Sequence, residues 1–122
     1  MEPNILVKWG LQLGRADEEY IEALKRLDIE CFPVRYSSGY YDAVLARHII
    51  ALVLFHEGDI IASVTAFAPG SAYWPRSVQD VRAGSAYLAT LAVAPAWRRR
   101  GLARFLLRVM EAELAVLGYT QG

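Results

Sequence analysis

The chain has 122 residues, with 13 basic and 13 acidic side chains, and so no formal net charge. That length suits a single domain over residues 1–122, and 55% hydrophobic beside 21% charged residues are enough to bury a core. Neutrality excludes a global pull toward nucleic acid or an acidic membrane. One cysteine and two histidines exclude a disulfide framework and a protein-built zinc site.

The start, Met1-Glu2-Pro3-Asn4, has neither the basic nor the apolar run of a secretory signal. No apolar run approaches the ~20 residues that cross a bilayer, so no transmembrane segment is expected. A lone cysteine fits a reducing, cytoplasmic setting. Ile5, Val7, Trp9, Leu11 and Leu13 then alternate, which predicts a strand ended by Gly14. Asp17-Glu18-Glu19 predicts a helix cap and an acidic first turn. Tyr20, Leu24, Leu27 and Cys31 follow as an apolar helical stripe, stopped by Pro33. Ser37-Ser38-Gly39 precede a short helix from Tyr40 to about Ala46. Two runs rich in Ile, Val and Leu, His48 to Phe55 and Ile60 to Phe67, flank His56-Glu57-Gly58-Asp59 and predict a β-hairpin. Pro69, Gly70, Pro75 and Gly84 mark a long loop from Ala68 to Ser85. Ala86 to Val93 reads as another strand, stopped by Pro95. Leu102, Phe105, Val109, Ala112 and Val116 predict a long helix, widened by Leu106, Met110 and Leu117 and stopped by Gly118. This order defines an α/β or α+β chain with a mixed sheet.

Chemistry concentrates at Val93-Ala94-Pro95-Ala96-Trp97-Arg98-Arg99-Arg100-Gly101-Leu102-Ala103, between a strand and an amphipathic helix. Such a turn aims unpaired backbone N–H groups at one point, and the helix dipole favours an anion there. Gly101 permits a close approach, Ala103 keeps it unobstructed, and the arginines suit phosphate. No Gly-Lys-Ser/Thr closes the turn, so it is not a P-loop, and one glycine is not a dinucleotide fingerprint. Two readings stay open on the residues alone, a phosphate or pyrophosphate cradle and a basic helix start that only meets solvent.

Arg98-x-x-Gly101-x-Ala103, after the strand Tyr87-Leu88-Ala89-Thr90-Leu91-Ala92-Val93 and Pro95, resembles the acetyl-CoA signature of the GNAT acetyltransferases. Phe32-Pro33-Val34-x-Tyr36, followed by Tyr40-Tyr41-x-Ala43-Val44, is similar to the loop between the first two helices of protein N-terminal acetyltransferases that read Met-initiated N-termini. The resemblance runs from Ile5 to about Gly118 and implies a GNAT fold and acetyl-CoA as co-substrate. By it, Phe32, Pro33, Val34 and Tyr36 line the acceptor pocket and Tyr87 is catalytic. Leu91 and Val93 meet the pantetheine, while Arg98, Arg99, Arg100, Gly101 and Ala103 meet the pyrophosphate. The expected acceptor is the α-amine of a Met-initiated peptide or protein. In that family a histidine-bearing strand follows Gly118, whereas this chain stops at Gly122, so a C-terminally truncated GNAT domain is expected. The edge of the Tyr87 strand is then open to self-association. Two alternatives accompany this reading, a CoA-binding module without activity and an acetyltransferase acting on lysine or a small amine. On the residues alone, Tyr87 reads as a core or cross-strand aromatic, Phe32-Pro33-Val34 as a helix stop, and Cys31 as a small hydrophobe. His48 and His56 read as structural or surface residues.

Overall fold

The computed structural model describes residues 3–67 and 87–116. The chain opens on a helix, α1 (Pro3–Trp9), and not on the strand expected over Ile5–Leu13. Pro3 takes the first helical position, where a missing N–H costs nothing. Gly10 ends the helix at φ 66°, a left-handed conformation that carries no Cβ penalty for glycine. The Leu11 N–H reaches the Leu6 carbonyl at 2.9 Å and the Gly10 N–H the Val7 carbonyl at 3.3 Å, the paired bonds of a Schellman stop. These end signals outweigh the alternation. Ile5, Leu6 and Trp9 pack against the core and Val7 is 83% exposed, whereas a strand would put Val7 beside Ile5 and Trp9.

The first strand is therefore short, β1 (Gln12–Arg15). Gly14 lies inside it and does not end it; a Cβ there would come within 3.0 Å of the Phe55 ring. α2 (Ile21–Cys31) starts later than the acidic cluster suggests. Asp17 organises the turn before it, Oδ1 accepting from the Glu19 N–H at 3.2 Å, and Glu22 is the acid of the first helical turn. Leu24 and Leu27 carry the stripe into the core, with Tyr20 and Cys31 half-buried at its ends. α3 (Ser38–Leu45) begins two residues early because Ser37 is its N-cap, Oγ accepting from the Tyr40 N–H at 3.4 Å.

The hairpin forms as expected, β2 (Ile49–His56) and β3 (Asp59–Phe67) joined at Glu57-Gly58 with φ of 50° and 86°. Two left-handed residues match the strand twist, as in a type I′ turn. β4 (Tyr87–Val93) pairs with β3, and the sheet order is β1-β2-β3-β4, antiparallel throughout. The parallel pair of a mixed sheet is not found among the described strands. Ile49–Leu54 and Ile60–Ala66 are buried on both faces, so helices cover both sides of the sheet centre. α4 (Leu102–Val116) packs across β2, β3 and β4. Its buried face runs Leu102, Phe105, Leu106, Met110 and Leu114; Ala112 and Val116, expected in the stripe, face outward. Glu113, on the sheet-facing side of the helix, pairs with Arg15 of β1. The expected loop over Ala68–Ser85 and the Gly118 stop lie outside the described residues.

A buried polar pair ties α2 to α3. The Tyr41 hydroxyl donates to Asp28 Oδ2 at 2.8 Å, and both residues are buried. Burial raises the Asp28 carboxyl to about 6, while the hydrogen bond from Tyr41 pulls it back. Burial and then Asp28 push the Tyr41 phenol up. An unfolded aspartate titrates near ~4, so folding takes up a proton between the two values. The associated stability is fully present below about pH 4 and is lost as pH rises through about 6. The loss amounts to roughly 3 kcal/mol. Asp28→Asn keeps an acceptor for Tyr41 and removes the charge. Urea titrations from acid to pH 8 are expected to show this slope in the parent and a flattened profile in Asp28→Asn, with the variant the more stable at pH 8.

Candidate active site

The last residue of β4 gathers three parts of the chain at one atom. The Val93 carbonyl accepts from Arg98 Nε at 2.9 Å and from Cys31 Sγ, at the end of α2, at 3.5 Å. The Ala94 N–H continues the ladder to the Ile61 carbonyl at 2.8 Å. Pro95 then opens a single 3₁₀ turn, Pro95–Trp97, closed by the Trp97 N–H on the Ala94 carbonyl at 2.8 Å. Beyond it the backbone reverses through two left-handed residues, Arg99 at φ 65° and Gly101 at φ 77°, and enters α4. The Phe105 N–H takes the Gly101 carbonyl at 3.1 Å. The N–H groups of Leu102, Ala103 and Arg104 have no carbonyl ahead of them within the helix.

These elements wall a cavity of about 580 Å³, lined by Cys31, Phe32, Leu91, Ala92, Val93, Trp97, Arg98, Arg99, Gly101, Leu102, Ala103 and Arg104. Phe32, Leu91, Val93 and Trp97 make one part apolar. Three arginines and the N-terminus of α4 make the other part cationic. Cys31 lines the floor; burial pushes its thiol up against the opposing pull of Arg98, so it stays a thiol and a donor to Val93.

Six of the seven residues expected to hold the co-substrate line this cavity: Leu91, Val93, Arg98, Arg99, Gly101 and Ala103. Arg100 does not. Its guanidinium lies between the rings of Trp9 and Trp97, 4.4 Å from each centroid, and Nη2 donates to the Ala96 carbonyl at 3.1 Å. Successive side chains of a reversing turn cannot all point one way, which is why three adjacent arginines divide. The conformation of Gly101 gives a further reason for glycine there. A Cβ there would meet Ile5 Cδ1 at 3.7 Å, an ordinary contact, and the φ of 77° is one that glycine takes without strain.

The acceptor residues divide as well. Phe32 opens on the main cavity, while Val34 and Tyr36 line a second hollow of about 160 Å³ with Lys25, Asp28, Ile29, Arg35, Ser38 and Tyr41. Pro33 is exposed and lines neither. Phe32 and Tyr36 meet edge to face at 5.8 Å, and Tyr36 stacks on Tyr40 at 4.6 Å, so one aromatic row joins the two spaces. Tyr87 begins β4, its Cα opposite Phe67; its side chain lies outside the described residues.

A hydroxyl chain escaped the sequence reading. Tyr40 Oη lies 3.2 Å from Thr65 Oγ1, which lies 2.6 Å from Thr90 Oγ1, and so α3, β3 and β4 are pinned together beside Leu91. Burial raises the Tyr40 phenol while the two threonines pull it down. Two threonines in apolar strands were its only signal, and cross-strand register is not written in either strand alone. Trp97 and Arg104 were missed too, because helix direction decides which of their neighbours they share a wall with.

The sequence matches the acetyltransferase (GNAT) family over residues 21–121, and the chain belongs to that family. No curated protein matches it in sequence. Among solved structures, the Escherichia coli ribosomal-protein-S18-alanine N-acetyltransferase superposes with a TM-score of 0.67 at 18% identity, over 88% of this chain and 61% of that one. Arabidopsis thaliana Naa50 in complex with the bisubstrate analogue CoA-Ac-MVNAL gives 0.62 at 20% identity, over 84% and 65%. The aminoglycoside 6′-N-acetyltransferase AAC(6′)-IG of Acinetobacter haemolyticus gives 0.65 at 18%, over 89% and 74%. The chain thus covers less than two thirds of the first two, and all three share its fold.

The left-handed turn has a direct consequence for substitution. A β-branched residue at 101 has room for its Cβ but must hold a positive φ, at roughly 1–2 kcal/mol. Gly101→Val is expected to lose about that much unfolding free energy in urea. Gly101→Asn, with a similar demand on space but a tolerance for this conformation, is expected to lose clearly less.

Proposed function

We propose that the protein transfers acetyl from acetyl-CoA to the N-terminal α-amine of Met-initiated peptides or proteins. The observation that carries this reading is the cavity that joins the end of β4, the Arg98–Ala103 turn and Phe32 in one space. Its two-part lining fits the co-substrate: Leu91 and Val93 border the apolar stretch suited to a pantetheine arm. Arg98, Arg99, Gly101, Ala103 and the first N–H groups of α4 border the cationic stretch suited to a pyrophosphate. Bound there, acetyl-CoA supplies an acetyl group already activated as a thioester.

The chain's own residues then bind, orient and deprotonate. Arg98 is held by its Nε on Val93, which leaves its terminal amino groups for the anion. The hydroxyl chain from Tyr40 to Thr90 fixes β4 against α3, so that Leu91 and Val93 keep their place along the wall. An α-amine has a pKa near ~8 and must shed a proton before it attacks. Tyr87, four residues upstream of Leu91, takes that role through a hydroxyl–water relay. No covalent enzyme intermediate is required. Phe32 and Tyr36 form the apolar hold for the acceptor's first side chain, with Pro33 fixing the loop and Val34 at its outer edge. A thioether side chain suits such a hold, and burying it is worth roughly 1.5–3 kcal/mol.

The Met-reading branch is favoured by Phe32-Pro33-Val34-x-Tyr36, and the peptide portion of the Naa50 analogue also begins with Met. We also propose the outer edge of β4, where Leu88 is exposed, as a surface for self-association. In steady-state assays with acetyl-CoA, Met-initiated peptides are expected to exceed Ser-, Ala- or Glu-initiated ones by at least about tenfold in kcat/KM, a difference of ~1.4 kcal/mol. Phe32→Ala is expected to erode that preference. Equal acetylation of Ser- or Glu-initiated peptides, or of internal lysines, refutes the acceptor assignment.

A further inference from the structure

Resting on the acetyl-CoA reading, we infer that α1 is a positioning element for the pyrophosphate turn, with Trp9 acting through Arg100. The turn places left-handed residues on either side of Arg100, Arg99 at φ 65° and Gly101 at φ 77°. The aim of its N–H groups depends on both, and for Arg99 the left-handed state is uphill because of its Cβ. Something must hold Arg99 there.

The hold is visible at Arg100. Trp97 and the Ala96 carbonyl grip its guanidinium from within the same turn. Among the described residues, Trp9 grips it from outside the turn, its ring 4.4 Å away on α1. The planar cation between two rings is a directional contact, since each ring face attracts it and the sandwich fixes its plane. Ile5 of α1 also stands beside the turn, its Cδ1 3.7 Å from where a Cβ on Gly101 would lie. Arg100 forms no part of the cavity wall, so its charge serves the turn and not the ligand. α1 also precedes residue 21, where the family match begins, and so this brace lies outside the matched segment. Without Trp9 the turn samples other conformations, and the ligand must order it on binding. The effect belongs to affinity and not to turnover of bound co-substrate.

The test titrates CoA into the full chain by calorimetry, with a thermal melt of each variant. Trp9→Leu is expected to raise the CoA Kd about tenfold. Trp9→Phe, which keeps a ring over the guanidinium, should stay within about threefold. Arg100→Ala should resemble Trp9→Leu, and the double variant should lose no more than the worse single variant, because both remove one contact. Parent-like binding by Trp9→Leu overturns the inference. So do equal losses for the Leu and Phe variants, or fully additive losses in the double variant. A parent chain that takes up no CoA refutes the proposed function itself, a result distinct from a parent that binds and a Trp9→Leu variant that binds as well.

Discussion

The cavity exists where it does because one carbonyl, that of Val93, has two donors from distant parts of the sequence. Arg98 Nε arrives from the turn after β4 and Cys31 Sγ from the end of α2. An arginine side chain left in water samples many rotamers, and fixing it costs up to about 2 kcal/mol. A hydrogen bond through Nε fixes the stem while the forked end stays free, so Arg98 is oriented without being consumed. The same atom brings the end of α2 to the end of β4, and with it Phe32, the next residue after the helix. The wall that carries the cations and the wall that carries the aromatic row are thereby set at a fixed distance.

Behind that junction stands a sheet centre with no exposed face. β2 and β3 are buried along nearly their whole lengths, which makes them a rigid floor. On that floor the two polar ties, Asp28 with Tyr41 and Tyr40 with the threonine pair, serve different ends. Asp28–Tyr41 locks helix to helix and charges the fold with a proton-dependent cost. Tyr40–Thr65–Thr90 locks helix to strand through neutral hydroxyls, which need no counter-charge when buried. The second tie lies against the cavity-bearing strand, and the ionisable one stands beside it, the Tyr40 and Tyr41 rings meeting edge to face at 5.1 Å.

The hairpin, the stripe of α2, the Pro33 stop and the strand before Pro95 were legible because each is specified within a few residues. The failures share one cause. Ile5–Leu13 satisfies a strand by alternation and a helix by its ends, and only packing of Ile5, Leu6 and Trp9 against the core, with Val7 outside, chooses between them. Asp17-Glu18-Glu19 is a good helix start that instead shapes the turn before one. In α4 the apolar residues form a broad band, and the sheet selects the Leu102–Leu106–Met110–Leu114 edge of it, leaving Ala112 and Val116 outside.

The site shows the same division. By itself the sequence determined that an arginine- and glycine-bearing turn lies between a strand and an amphipathic helix, and that an aromatic-proline loop follows the first long helix. These are local facts, fixed by residue type and spacing. Tertiary structure alone decided that Phe32 shares a cavity with the turn while Val34 and Tyr36 share another, and that Arg100 leaves its neighbours for Trp9 and Trp97. It alone joined Tyr40 to Thr90. Each of these depends on side-chain direction across elements far apart in the chain, and direction is set by the packing of a whole core and not by the order of its residues.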